Sequence, residues 1–150
     1  MKDSLIWGRY TWAIFHMIVE KIKPEHREEE LNNIKNIIYT ICINLPCPVC
    51  RLHAINYLNK TYSKVTSMEE LKMYLYNFHN VVNINTKKTQ QPISILNIYN
   101  NLDFNRIVIT WNKYFKLFKV DQYTFKEENL REKSKRHVLN YLKTNQHKFI

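Results

Sequence analysis

From Trp12 onward the apolar residues fall at helical spacing: Trp12, Phe15, Val19 and Ile22. This pattern predicts a helix over residues 5–22, with Asp3 or Ser4 as its cap and Pro24 as its stop. A second helix follows Pro24. Its stripe is Leu31, Ile34, Ile37, Ile38 and Ile41, and Glu28, Glu29 and Glu30 suit the positive end of its dipole. The stretch 37–43 is rich in β-branched residues and could be a strand, but the unbroken spacing from Leu31 favours helix. Leu45-Pro46 interrupts the chain. A third helix is expected from Cys47 or Pro48 through Ile55 and Leu58, since proline suits a first helical position. Ser67 and Glu70 form a capping box for a fourth helix. Leu71, Tyr74, Leu75, Phe78 and Val82 make its stripe, and it should end near Asn83, before a polar stretch to Gln91.

Beyond Pro92 the periods are weaker. Ile107, Trp111, Tyr114, Phe115 and Phe118 keep helical spacing. So do Leu130, His137, Val138, Tyr141 and Leu142, after a second box at Thr124 to Glu127. The expected fold is all-α: a four-helix core over 1–91, and a helical C-terminal extension over 92–150 packed on the same domain.

Composition supports this. The chain of 150 residues suits one domain, and its only glycine is Gly8. Sandwiches, barrels and Rossmann folds need more glycine in their turns and phosphate loops. The formal charge is +10, with +4 on residues 1–100 and +6 on 101–150. Such an excess attracts nucleic acid, anionic membranes or acidic proteins. No run of about 18 apolar residues exists, so no membrane span is expected. The first residues lack a signal-peptide layout. Three clustered cysteines do not make a secreted disulfide scaffold, so an intracellular, reducing setting is expected.

Three groups of residues could carry chemistry. The first is Cys47-Pro48-Val49-Cys50 at a helix start, where free amides and the helix dipole stabilise a thiolate. Arg51 adds a cation nearby. Cys42, Cys47, Cys50 and His53 are also zinc-ligand types, although the second ligand pair usual for zinc is missing. A buried structural pair and a thioredoxin-like site are further readings, and the latter lacks its βαβ context. The second group is His79, Asn80 and Asn83, on one side of the fourth helix, where they could hold a polar planar ligand. Helix-end asparagines are the bland alternative. The third is Gly8, Arg9, Trp12 and His16: a glycine permitting close approach, a phosphate partner, a stacking ring and a hydrogen-bonding ring. An ordinary tryptophan-rich core helix is the alternative there.

Taken in order, these groups resemble the Erv/ALR family of FAD-linked sulfhydryl oxidases. The family pattern is Gly-Arg-x-x-Trp-x-x-x-His, then Cys-x-x-Cys-x-x-His, then His-Asn-x-Val-Asn. Here it reads Gly8-Arg9 to Trp12 and His16, Cys47 to Cys50 and His53, and His79-Asn80 to Val82-Asn83. Trp7-Gly8-Arg9 and the run Leu45-Pro46-Cys47-Pro48 to His53-Ala54 are similar to the short poxvirus-type members.

The resemblance implies an FAD-binding helical bundle that oxidises thiols to disulfides. It makes Cys50 the thiol beside the flavin and Cys47 the interchange thiol. Arg9, Trp12, His16, Cys50, His53, His79, Asn80, Val82, Asn83 and Lys88 are the implied cofactor contacts, with no metal. It also implies a homodimer, a small thiol or disulfide carrier protein as substrate, and oxygen as acceptor. A cytoplasmic setting, at a virus factory or in the virion, goes with it, and nucleic acid is not expected as a partner. The chain departs from the family in several places. Ile22 and Lys23 replace the usual tyrosine and proline, and Thr86-Lys87 replaces the usual leucine-glycine. The second cysteine pair of cellular members is missing, as is a shuttle pair on a terminal arm. A rival reading is a basic helical module binding nucleic acid or protein, with a structural or zinc-binding cysteine pair. Its contact patch would be Arg131, Lys133, Lys135, Arg136 and His137, a run that otherwise reads as a solvated helix face.

Overall fold

The computed structural model describes residues 2–150, with side chains from Ile6 onward. Six helices follow one another: α1 (Lys2–Lys21), α2 (Arg27–Cys42), α3 (Pro48–Thr61), α4 (Met68–Asn85), α5 (Phe104–Tyr114) and α6 (Phe125–Thr144). Short 3₁₀ segments lie at Pro24–His26, Tyr62–Lys64, Ile93–Asn101 and Gln146–Lys148. Among the described residues the only β pairing is an isolated antiparallel bridge between Ile22 and Phe149. The all-α expectation holds. Residues 37–42 are helical because burying Ile34, Ile37, Ile38 and Ile41 outweighs their β preference.

α1 is the hub. It packs against α2, α4, α5 and the Ile93–Asn101 segment. Ile14, Met17 and Ile18 accordingly expose nothing, and neither does Ile22 just beyond the helix. α5 is keyed onto α1 by a short relay: the Trp111 indole donates to the Thr11 hydroxyl (3.2 Å), which donates to the Trp7 carbonyl (2.7 Å). α6 packs on α2. The chain end returns to α1, with the Lys23 amide donating to the Lys148 carbonyl (2.9 Å) and the Ile150 amide to the Lys21 carbonyl (2.8 Å). Buried Glu30 on α2 accepts from Asn33, Tyr141 and Lys148.

Several local expectations are corrected. α1 begins at Lys2, so Asp3 and Ser4 lie within the helix, not at its cap; their side chains fall outside the described ones. Ser67 caps α4 by accepting from the Glu70 amide (3.1 Å), but Glu70 reaches back to the Thr66 amide (3.0 Å) instead of Ser67. Thr124 gives α6 no side-chain cap, because its hydroxyl is engaged by the Asp121 amide and carboxylate. Phe118 lies beyond α5 and is exposed. On α6 the buried stripe is Arg131, Lys135, Val138 and Leu142, while Leu130 and His137 face solvent.

Candidate active site

α3 opens on the cysteine pair. Cys47 is its N-cap residue, with extended backbone, and Pro48 takes the first helical position. The Cys47 sulfur accepts from the Cys50 amide (3.2 Å), so an otherwise unpaired N-terminal donor is directed at sulfur. Cys47 and Cys50 are joined as a disulfide. Both are half-buried and pack on the hydrophobic core, while Val49 and Leu52 stand exposed beside them. Arg51 is not a free cation next to the sulfurs. Its guanidinium donates to the Leu45 carbonyl (2.6 Å) and to Glu127 (3.2 Å). Cys42 is buried at the end of α2, and burial pushes its thiol up to about 12.

The second and third groups meet between α1 and α4. The His16 Nε2 and His79 Nδ1 atoms are 2.9 Å apart. The Trp12 indole lies flat on the His79 ring at 4.0 Å, and Tyr99 stacks on His16 at 4.6 Å. Burial, helped by His79, pushes the His16 imidazole down to about 3. Burial, helped by Lys88, pushes His79 down to about 4. Both rings are therefore neutral near pH 7, one donating to the other.

A cavity of about 560 Å³ opens beside this pair. It is lined by the expected Arg9, His16, His79, Asn80, Asn83 and Lys88. Tyr76, Thr89, Gln91, Ile95 and Tyr99 complete it, and the sequence reading missed all five. Tyr99 and Ile95 lie in the 3₁₀ segment, whose weak period gave no sign that it packs on α1. Trp12 supports the cavity from behind through its stack on His79. Cys50, His53 and Val82 are not in the lining: His53 is exposed one turn beyond Cys50, and Val82 packs on the core.

Cys50 still shares a helix face with this region. Cys50, Ala54 and Tyr57 lie one above another on α3. The Tyr57 ring stacks on Phe78 of α4 (4.4 Å), which meets Trp12 edge-on (5.1 Å). α3 is thus joined to the cavity wall by consecutive ring contacts.

Asn80 does more than line the cavity. Its amide oxygen accepts from the Gln91 amide (2.9 Å), and its nitrogen donates to the Gln91 carbonyl (3.0 Å). This two-point bond folds the 86–91 loop back over α4. The turn into the loop has the Schellman pattern: the Lys88 amide donates to the Asn83 carbonyl (2.7 Å) and the Lys87 amide to the Ile84 carbonyl (3.1 Å). Lys87 holds a φ of 59°, the conformation glycine prefers, where the family usually has glycine.

Three sequence readings are corrected. Gly8 is not a site of close approach within the chain: a Cβ there would meet nothing within 4 Å. Among the described residues no group of three or more acidic, histidine or cysteine side chains is placed to hold a metal, so Cys42, Cys47, Cys50 and His53 do not converge. The basic run on α6 is split: Lys133, Arg136 and His137 are exposed, as a solvated face requires, while Arg131 and Lys135 turn inward. Arg131 exposes nothing and Lys135 only 4%. Arg131 is instead paired with Glu127 and Glu128 (2.8 Å each), and Lys135 with Glu132 (3.0 Å).

The Erv1/Alr family profile matches residues 9–105. An Invertebrate iridescent virus 3 protein named a putative FAD-linked sulfhydryl oxidase is 29% identical over 90 residues, which cover 59% of this chain and 61% of that protein. A probable FAD-linked sulfhydryl oxidase of fowlpox virus is 27% identical over 103 residues, covering 69% of this chain and 84% of its own. An African swine fever virus FAD-linked sulfhydryl oxidase is 28% identical over 98 residues, covering 65% and 80%. No solved structure matches the chain. The profile match takes in the three motif groups from Arg9 onward, leaving out only Gly8, and spans well over half of the sequence, so the chain belongs to the Erv1/Alr family.

Proposed function

We propose that this protein is an FAD-dependent thiol oxidase that makes disulfides in substrate proteins through Cys47 and Cys50. The carrying observation is the Cys47–Cys50 disulfide at a helix N-terminus, on a helix joined by ring contacts to a cavity of neutral imidazoles, amides and cations. The relatives' names point the same way.

The cavity's donor set fits FAD. Arg9 and Lys88 offer cations for a diphosphate. His16, His79 and Asn83 offer hydrogen bonds to a polar ring system, and Tyr99 offers a flat wall. The volume lies inside the ~300–1,000 Å³ range of ligand pockets. When bound, the cofactor accepts the two electrons of the reduced cysteine pair and passes them to an acceptor, for which we propose oxygen.

The chain's own steps follow from disulfide exchange. A substrate thiolate attacks the Cys47 sulfur, the Cys47–Cys50 bond breaks, and Cys50 leaves as a thiolate. The substrate's second thiolate then attacks the mixed disulfide. The substrate leaves oxidised and Cys47 leaves as a thiolate. The helix N-terminus stabilises the negative sulfur in both steps. Half-burial of the pair keeps the redox chemistry apart from bulk water, while the flanking surface admits a protein partner.

The same reading takes a small thiol or disulfide carrier protein as substrate and a homodimer as the working form. Among the described residues no helix is long and apolar enough to cross a membrane. We place the enzyme in a reducing compartment, the cytoplasm, at a virus factory or in the virion. A buried free Cys42 beside a single exchangeable pair suits that setting. The test is direct: the purified protein should carry flavin absorbance and oxidise a model dithiol in air. Cys47→Ser should lose turnover and keep its flavin. A colourless protein, or an active Cys47→Ser variant, overturns the proposal.

A further inference from the structure

A buried side chain of the extension grips the loop that leads into the redox pair. Arg131 of α6 exposes nothing, and its guanidinium makes four hydrogen bonds. Two go to Glu127 and Glu128 (2.8 Å each), which balance its charge. The other two go to backbone: Nε donates to the Asn44 carbonyl (2.6 Å) and Nη2 to the Leu45 carbonyl (3.2 Å). A buried ion pair needs only the carboxylates. Half of this fork is spent on the two residues just before Pro46-Cys47.

The grip is not confined to Arg131. The Leu45 carbonyl also accepts from Arg51 (2.6 Å), and Arg51 reaches Glu127 (3.2 Å). The Asn44 side-chain nitrogen donates to the Ser134 hydroxyl (3.0 Å). The charged groups around this loop are thus Arg51 of α3 and Glu127, Glu128 and Arg131 of α6. The loop joins the C-terminus of α2 to the N-terminus of α3, and its Asn44 and Leu45 carbonyls lie outside both helices. Unheld, those peptide groups and the backbone leading to Cys47 would be free to rotate. Their capture by two guanidiniums removes that freedom.

We propose that Arg131 is a positioning residue for the redox pair. It anchors the Asn44–Leu45 backbone so that Cys47, once reduced, stays at the N-cap of α3 with the Cys50 amide on its sulfur. α6 lies wholly beyond the residues matched by the family profile, so the anchor belongs to this chain's extension. The inference rests on the reading of Cys47 as the exchanging sulfur. A loosened loop lets Cys47 leave the helix N-terminus, and its thiol then rises toward the ordinary value.

The test uses the full chain carrying Cys50→Ser, in which Cys47 is the accessible free thiol. Alkylation by iodoacetamide is followed from pH 5 to 10, with melting recorded in parallel. Arg131→Gln should raise the midpoint by about half a pH unit or more, an approximately threefold loss of thiolate at pH 7. Arg131→Lys keeps the charge beside Glu127 and Glu128 but cannot span both carbonyls. It should therefore fold and still show a raised midpoint, and it carries the test if Arg131→Gln does not fold. Variants that melt earlier but keep the parental alkylation profile overturn the proposal and leave Arg131 a structural ion pair. The oxidase reading is tested apart, by flavin content and dithiol oxidation of the unsubstituted protein, so the two failures are distinguishable.

Discussion

The His79 imidazole lies on the Trp12 indole with 4.0 Å between ring centroids and 4° between planes. One residue comes from α4 and the other from α1. The stack therefore fixes the two helices that frame the cavity, and it orients the His79 nitrogen that meets His16. Any change in the charge or presence of the imidazole should be felt both in stability and in cofactor retention.

Stability should fall as pH falls below about 6.5. His16 and His79 have depressed values in the folded protein, about 3 and about 4. The unfolded chain therefore takes up their protons first. Above the unfolded value the histidines cost nothing; below it stability drains by up to about 1.4 kcal/mol per pH unit for each ring. The loss ends as pH passes the folded values. Urea unfolding at pH 7, 6 and 5 measures this. A flat profile across that window would contradict neutral, buried imidazoles. His79→Gln should flatten part of the slope.

His79→Ala should weaken FAD retention with little change in helical content. Loss of a buried hydrogen bond costs about 1–3 kcal/mol, roughly 5- to 150-fold in affinity. Flavin absorbance per protein after dilution, set beside far-ultraviolet circular dichroism, checks it. Full flavin content in the variant would remove His79 from the cofactor site.

Cys42→Ser should keep dithiol oxidation close to that of the unsubstituted protein. A buried thiol pushed up to about 12 has almost no thiolate at neutral pH and no path for exchange. The substitution should still lower the melting temperature, because it places a hydroxyl in apolar surroundings. A Cys42→Ser protein as inactive as Cys47→Ser would make Cys42 part of the relay.

Lys87→Gly should stabilise the protein by about 1 kcal/mol, since a side chain at positive φ costs roughly 1–2 kcal/mol that glycine does not. Thermal melting gives the answer. No gain, or a loss, would mean that the Lys87 side chain repays its backbone strain.

Local pattern was enough for the helical class and for the positions of the first four helices, because a buried helical face writes its period directly into the sequence. It also placed the cysteine pair at the start of α3, since Pro48 and the break at Leu45-Pro46 are local signals. His79 and Asn83 were legible as neighbours for the same reason. What the cavity is made of was only partly legible. Tyr99 enters it through long-range packing of a weakly patterned segment, Gln91 through the loop folded back over α4, and Asn80 is occupied by a backbone partner that only that folded loop supplies. The inward turn of Arg131 on α6 has the plainest cause. A run of cations reads as solvated unless something buried compensates it, and for Arg131 part of that compensation is a pair of carbonyls 86 and 87 residues away in sequence. Spacing carries no information about such partners. Tertiary structure alone decided that this arginine belongs in the core, against the loop that presents Cys47.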